Sequence, residues 1–226
     1  MSFTQNWFEI LALKNFQTLK NIIDINKPIN VLEIGCFQGN CHLWLYENIL
    51  IHPDSKSEVI DPFEKSITHS DLQHPNTFDI FCNNLYKYKD KITIHKGFSD
   101  DILPTLEKNS FDIIYIDGDH SSLATYNDGV NSFTLLKKGG IMIFDDYLWN
   151  GLYVNDNMDI YRIGGELNPC RGINKFLSEY SEKYELLKNF DPPITIIDID
   201  ELYENNNISQ QELFNNVNYQ ILIIKK

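Results

Sequence analysis

The sequence has little positive charge, few cysteines and no long apolar run, and each shortage excludes a class of protein. Lys and Arg total 19 against 32 Asp and Glu, a formal net charge of −13. Such a balance repels a nucleic-acid backbone unless a basic patch offsets it, and no stretch supplies one, so no nucleic-acid partner is expected. Cys36, Cys41, Cys82 and Cys170 show no CxxC spacing. Neither a zinc site nor a disulfide framework follows, and free thiols in a reducing, cytoplasmic setting are the expectation. The longest near-apolar runs, such as Ile194 to Ile199, fall far short of the roughly 20 residues that span a bilayer. The first residues, MSFTQNWFEI, lack the basic-then-apolar order of a signal peptide, so neither membrane nor export is expected.

What is present centres on Phe111 to Trp149. Two apolar runs end in acid: Ile113 to Ile116 into Asp117-Gly118-Asp119-His120, and Ile141 to Phe144 into Asp145-Asp146. Between them Leu123, Val130, Phe133 and Leu136 recur at helical spacing, and Lys137-Lys138-Gly139-Gly140 carries the basic and glycine residues that stop helices. Strand, helix, strand is the reading, with both strands in a buried parallel sheet. Parallel strands present their carboxyl ends at one edge, so three carboxylates and a histidine gather where open α/β sheets bind ligands.

The rest of the chain extends that unit. Residues 3 to 24 place Phe8, Leu11, Phe16, Leu19 and Ile23 on a broad apolar helix face, expected to pack on the sheet or into a homo-oligomer interface, with a lid over the substrate as the lesser reading. Pro28 to Gly35 reads as a first strand, followed by the turn Gly35-Cys36-Phe37-Gln38-Gly39 and a helix from Asn40 to Leu50. Glycines at such a turn let backbone approach a ligand beside a helix N-terminus, although Phe37 breaks the strict GxGxxG spacing. A second strand, Ser57 to Ile60, ends in Asp61. An acid there, about 20 residues past the glycine turn, is the usual acceptor for ribose hydroxyls. Asn76 to Tyr88 reads as a helix and Lys91 to His95 as a third strand, leading into a short helix that Ser99 or Asp100 could cap. After Trp149 a polar insertion, Asn150 to Asn168, follows the acidic edge directly and suits a substrate-covering loop. Arg171 to Lys183 reads as a helix, and Tyr184 to Phe190 with Tyr219 to Ile224 as closing strands, with Ile194 to Ile199 available as another.

The domain expected is a single α/β unit: a helical cap over 1–27, a core over 28–149, and a substrate loop, helix and edge strands over 150–226. Asp117, Asp145 and Asp146 offer hard oxygen ligands suited to Mg²⁺, Ca²⁺ or Mn²⁺ rather than zinc. Adjacent acids on a regular strand face opposite ways, so both reach one ion only where the strand breaks after Phe144. His120, with a near-neutral pKa, suits a general base acting on a hydroxyl that a metal has acidified. A nucleotide-dependent oxidoreductase gives the Asp145-Asp146 pair no role. An inactive cofactor-binding module has no need of His120 with all three acids.

These residues resemble class I S-adenosylmethionine-dependent methyltransferases, in particular their metal-dependent O-methyltransferase branch. Val31 to Gly39, reading VLEIGCFQG, is similar to the first motif of catechol O-methyltransferases, and Gly97 to Pro104 to their adenine-side turn. IDGDH at 116–120 and FDDY at 144–147 resemble bacterial sugar O-methyltransferases of antibiotic pathways more closely. The resemblance spans about residues 29 to 149. It implies a Rossmann-like, seven-stranded, mostly parallel sheet with helices on both faces and an antiparallel strand at the C-terminal edge. It also implies S-adenosylmethionine, with Glu33, Gly35, Phe37 and Gly39 around its methionine part and Cys41 in place of a family hydroxyl. Asp61 would take the ribose, Ser99 and Asp100 the adenine edge, and Asp117 would border the cofactor while holding Mg²⁺ or Mn²⁺ with Asp145 and Asp146. His120 would be the base. The acceptor expected is a sugar or glycoside with vicinal hydroxyls, with a catechol second.

Overall fold

The computed structural model describes residues 3–63, 76–149, 168–197 and 217–226, and the backbone of 152–154 and 160–162. A short π-helical turn, Phe8–Ala12, leads into α1 (Leu13–Lys20). Then come β1 (Asn30–Ile34), α2 (Asn40–Asn48), β2 (Lys56–Asp61), α3 (Thr77–Asn84), β3 (Ile92–Lys96) and the single turn α4 (Ser99–Ile102). The central unit is β4 (Phe111–Ile116), α5 (Ser122–Leu135) and β5 (Leu136–Phe144). A hairpin, β6 (Leu152–Val154) and β7 (Ile160–Arg162), precedes α6 (Pro169–Glu179), β8 (Tyr184–Leu186) and β9 (Ile221–Lys225).

Seven strands form one sheet in the order β3-β2-β1-β4-β5-β9-β8. β1, β2, β3, β4 and β5 pair in parallel, and β9 runs antiparallel to both β5 and β8. The expected antiparallel strand thus lies one place in from the edge, and the short β8 closes it. Helices cover both faces, which is why β4 is buried at every position but Asp112. On one face Phe16 of α1 packs edge-on against Tyr115 of β4, and His42 of α2 meets Phe81 of α3. On the other, Phe144 of β5 packs against Phe176 of α6.

Three local readings are corrected. Lys137 to Gly140 do not close the helix as stop signals but lie inside β5, since α5 already ends at Leu135. A bulge opposite Phe111–Ile113 absorbs the register, Gly139 takes φ +78°, and Lys137 reaches Asp112 at 2.8 Å. Ser99 is the first helical residue of α4, with Phe98 in the capping position and no side-chain cap. The long N-terminal helix is also shorter than its apolar pattern, because the π-helical turn shifts register before Leu13. The proposed substrate loop falls mostly outside the described residues; residues 194–197 carry no strand pairing, and 198–199 lie outside as well.

Candidate active site

Parallel pairing aligns the ends of β1, β2, β4 and β5, so Ile34 sits beside Ile60 and Ile116, and Ile116 beside Phe144. The residues that follow therefore share one edge, with Glu33 one position inside it. At the β1 turn Gly35 takes φ +80° and a side chain there would stand 1.8 Å from the Asp117 carbonyl oxygen, so only glycine fits. Gly39 also takes φ +80° and starts α2, while Phe37 adopts φ 45° between them. That conformation, uncommon outside glycine, turns the Phe37 amide toward Asp61, whose Oδ2 accepts it at 2.8 Å. Asp61 Oδ1 accepts the Phe63 amide at 2.6 Å. Burial pushes the Asp61 pKa up, and these backbone amides oppose that rise.

Glu33 is buried against His42, Oε2 to Nδ1 at 2.5 Å. The Cys41 thiol lies beside Glu33, and burial pushes its pKa well up, so it stays a neutral thiol. Ser99 is half-buried and Asp100 exposed on the first turn of α4, at the far side of the Asp61 end of the edge.

The acidic group lies at the other end. β5 stops at Phe144, and Asp146 takes φ +56° while its amide donates to Asp145 Oδ1 at 2.8 Å. The break in the strand that two adjacent acids required is there. Asp117, His120 and Asp146 bring one ligand atom each to within 4.8 Å of one another. Asp145 stands next to this cluster, taking a hydrogen bond from the Tyr115 hydroxyl, which also donates to Asp117 Oδ2 at 3.3 Å. Asp146 accepts the Tyr219 hydroxyl at Oδ1 (2.7 Å) and faces His120 Nε2 with Oδ2 (2.5 Å). Burial, then the neighbouring Asp145 and Asp146, push the Asp117 pKa well above the carboxylate range. Burial and Asp146 raise that of Asp145 to about 7. Burial also keeps the Tyr115 and Tyr219 phenols protonated, so both act as donors. For His120, burial depresses the pKa, but the Asp146 carboxylate beside it outweighs that and the net shift is upward.

Carboxylates packed so closely repel one another, and a divalent cation removes that repulsion. The donor set, three carboxylates with one imidazole at its side, fits a hard ion such as Mg²⁺ or Mn²⁺. Tyr115, Tyr219 and His42 were not singled out from the sequence. Tyr115 is the lone hydroxyl in the run FDIIYI, and a buried tyrosine hydroxyl needs a partner, which was the available signal.

Comparison with known proteins agrees with this geometry. Residues 32–147, just over half of the chain, match the family model described as a methyltransferase domain. The chain belongs to that methyltransferase family. A stretch of 149 residues, 63% of each chain, is 28% identical to uncharacterized protein R132 of Acanthamoeba polyphaga mimivirus. The match thus spans less than two thirds of that relative. Among solved structures, the fold is similar to an O-methyltransferase from Bacillus cereus in complex with S-adenosylhomocysteine (17% identity, 96% of this chain and 82% of that one, TM-score 0.58). It is also similar to the O-methyltransferase TomG from Streptomyces achromogenes, involved in tomaymycin synthesis, in complex with S-adenosylmethionine (15%, 96% and 81%, TM-score 0.58). The S-adenosylhomocysteine-bound methyltransferase PaMTH1 of Podospora anserina is a third (20%, 93% and 75%, TM-score 0.57). Among the described residues, no helix is long and apolar enough to cross a membrane.

Proposed function

We propose that the protein transfers a methyl group from S-adenosylmethionine to a hydroxyl of a sugar or glycoside, with Mg²⁺ or Mn²⁺ bound at the acidic cluster. The observation that carries this reading is the crowding of Asp117, Asp145 and Asp146 around His120 at the edge that also holds the Gly35 turn and Asp61. A cationic cofactor and a divalent ion both suit an edge of this charge. Bound there, S-adenosylmethionine supplies an activated methyl group and the divalent ion makes a chelated hydroxyl more acidic.

The residues of the chain divide the remaining work. Asp61 accepts the ribose hydroxyls, and Gly35, Phe37, Gly39, Glu33 and Cys41 surround the methionine part. Ser99 and Asp100 border the adenine. Asp117, Asp145 and Asp146 hold the ion, with Tyr115 and Tyr219 fixing the rotamers of Asp145 and Asp146. His120 takes the proton from the acceptor hydroxyl at its other ring nitrogen, Nδ1, and Asp146 Oδ2, which faces Nε2 at 2.5 Å, stabilises the imidazolium that results. The Trp149 ring, 4.7 Å from the His120 ring, shields it from water. Positioning the acceptor oxygen in line with the methyl group supplies much of the rate.

The test is transfer of a labelled methyl group to a panel of sugars and catechols, with Mg²⁺ present or chelated. Metal-dependent labelling of a vicinal diol sugar, reduced by a factor on the order of 10² or more in His120→Ala, is the expected result. Labelling indifferent to chelation, or of catechols alone, contradicts the metal or the acceptor assignment respectively.

A further inference from the structure

A second polar cluster lies behind the acidic one, where the start of β9 meets α1. Asn15 of α1 is 5% exposed, and Asn218 and Gln220, just before β9, are 1% and 0% exposed. Their amides bond to one another, and two backbone groups fix which atom is which. The Pro192 carbonyl can only accept, and it takes Asn218 Nδ2 at 2.8 Å. The Gln220 backbone amide can only donate, and it gives to Asn218 Oδ1 at 3.0 Å. Asn218 Nδ2 also donates to Asn15 Oδ1 at 3.1 Å. Asn15 Nδ2 is therefore the donor that reaches Asn218 Oδ1 at 2.6 Å and Gln220 Oε1 at 2.9 Å. The side-chain amide of Gln220 is thereby oriented: Asn15 holds its oxygen, and its nitrogen faces away.

That nitrogen faces the acidic cluster. β5 and β9 pair as far as Phe144 and Ile221, so the next residue on each, Asp145 and Gln220, stand opposite each other. Gln220 Nε2 lies beside the Asp145 carboxylate, yet it is buried and completes no hydrogen bond among the described residues. Both Asp145 oxygens are already taken, Oδ1 by the Asp146 amide and Oδ2 by the Tyr115 hydroxyl. A buried N–H without an acceptor is costly, and folded proteins keep few of them. Here three amides hold one in place beside a carboxylate. Ion ligation by Asp145 draws on the same two oxygens, so a donor standing ready keeps that carboxylate oriented when one of its present bonds gives way.

We infer that Gln220 is a positioning residue for the metal site and that α1 sets it through Asn15: the amides hold Gln220 Nε2 toward Asp145, which fixes the orientation in which that carboxylate meets a divalent ion. The inference rests on the reading of the acidic cluster as a metal site. It makes the N-terminal helix part of that site, and by linkage ion binding and the docking of α1 strengthen each other.

Mn²⁺ binding to the whole chain, read from the electron paramagnetic resonance signal of the free ion and without cofactor or acceptor, tests it. Gln220→Met keeps the length of the side chain and removes its amide, and is expected to weaken Mn²⁺ binding by roughly tenfold or more. Asn15→Leu frees the Gln220 amide to turn, and is expected to weaken it by about threefold or more. Adding Asn15→Leu to Gln220→Met costs nothing further, because Asn15 acts through Gln220. Leu19→Ala, a buried position one turn along α1, is the control: it lowers the melting temperature and leaves Mn²⁺ affinity as in wild type. Affinity within about twofold of wild type in Gln220→Met, or additive losses in the double variant, overturns the inference while the metal reading stands. Loss in Leu19→Ala equal to that in Asn15→Leu reduces the amides to packing and overturns it too. If wild type shows no saturable Mn²⁺ binding, the metal reading itself fails and the inference with it. If Gln220→Met does not fold, Asn15→Leu against Leu19→Ala decides: weaker Mn²⁺ binding in the first alone supports the inference, and equal affinity in the two overturns it.

Discussion

At the scale of single residues, the placement of polar groups at strand ends was legible and that of polar groups within strands and helices was not. Gly35 and Asp61 were legible jointly, because a glycine turn and an acid that ends the next strand fall at the spacing of a ligand-binding edge, and both stand at one edge. Asp117, Asp145 and Asp146 were legible for the same reason, and the left-handed Asp146 supplies the break their adjacency demanded. Tyr115 and His42 escaped notice because each sits in an otherwise apolar periodicity, where pattern alone counts a tyrosine or a histidine as core. Asp128 is a third such residue. It lies on the buried face of α5, 1% exposed, opposite Ser99 and Gly118, and burial raises its pKa to about 7, with Asp100 and Asp119 adding to the rise. A carboxyl whose pKa is higher folded than unfolded holds its proton more tightly in the folded state. Its contribution is therefore most favourable below the unfolded value near 3.8, and stability is lost as pH rises from there through about 7. Asp128→Asn should remove that slope and stabilise the protein at pH 8 by up to roughly 4 kcal/mol. Denaturant titrations of both proteins at pH 5 and pH 8 check it; an equal difference at both pH values would contradict it.

At the scale of elements, the order of strands and helices followed from periodicity, while their ends depended on contacts that no local pattern encodes. The Lys-Lys-Gly-Gly run reads as a helix stop and lies in the strand, because Leu136 pairs with Phe111 and Ile141 with Ile113, which leaves the run as the bulged stretch between two paired positions. The contact between α5 and α6 was equally invisible from sequence. Gly172 lets α6 approach so closely that a methyl group there would stand 2.2 Å from the Ser122 carbonyl oxygen, and the Ser122 hydroxyl donates to the Asn168 carbonyl across the same junction. Gly172→Ala should therefore push the helices apart and cost roughly 3 kcal/mol or more, against the small gain that alanine brings to an exposed helix. A melting temperature lower by roughly 5–10 °C is the expected reading. An unchanged or raised melting temperature would show that the junction is looser than described.

At the scale of the whole molecule, one arrangement does two jobs. The parallel order β3-β2-β1-β4-β5 buries a continuous apolar layer and, by the same alignment, delivers five acids to one edge. Because β1, β4 and β5 are buried on both faces, their carboxyl ends are where polar side chains can collect without disturbing the core. This is why the fold and the outline of the site could be read together, and why the acceptor could not: no residue at these strand ends names it, and the sequence after Trp149 is polar and without strong periodicity. The central claim is that this edge binds S-adenosylmethionine through Asp61. Titration calorimetry of S-adenosylmethionine into wild type and Asp61→Ala tests it most directly. Saturable binding to wild type, weakened by a factor on the order of 10² in Asp61→Ala, is the predicted result, since a charged acceptor of two ribose hydroxyls is lost. Absence of binding to wild type, or equal binding to the two proteins, would contradict the account.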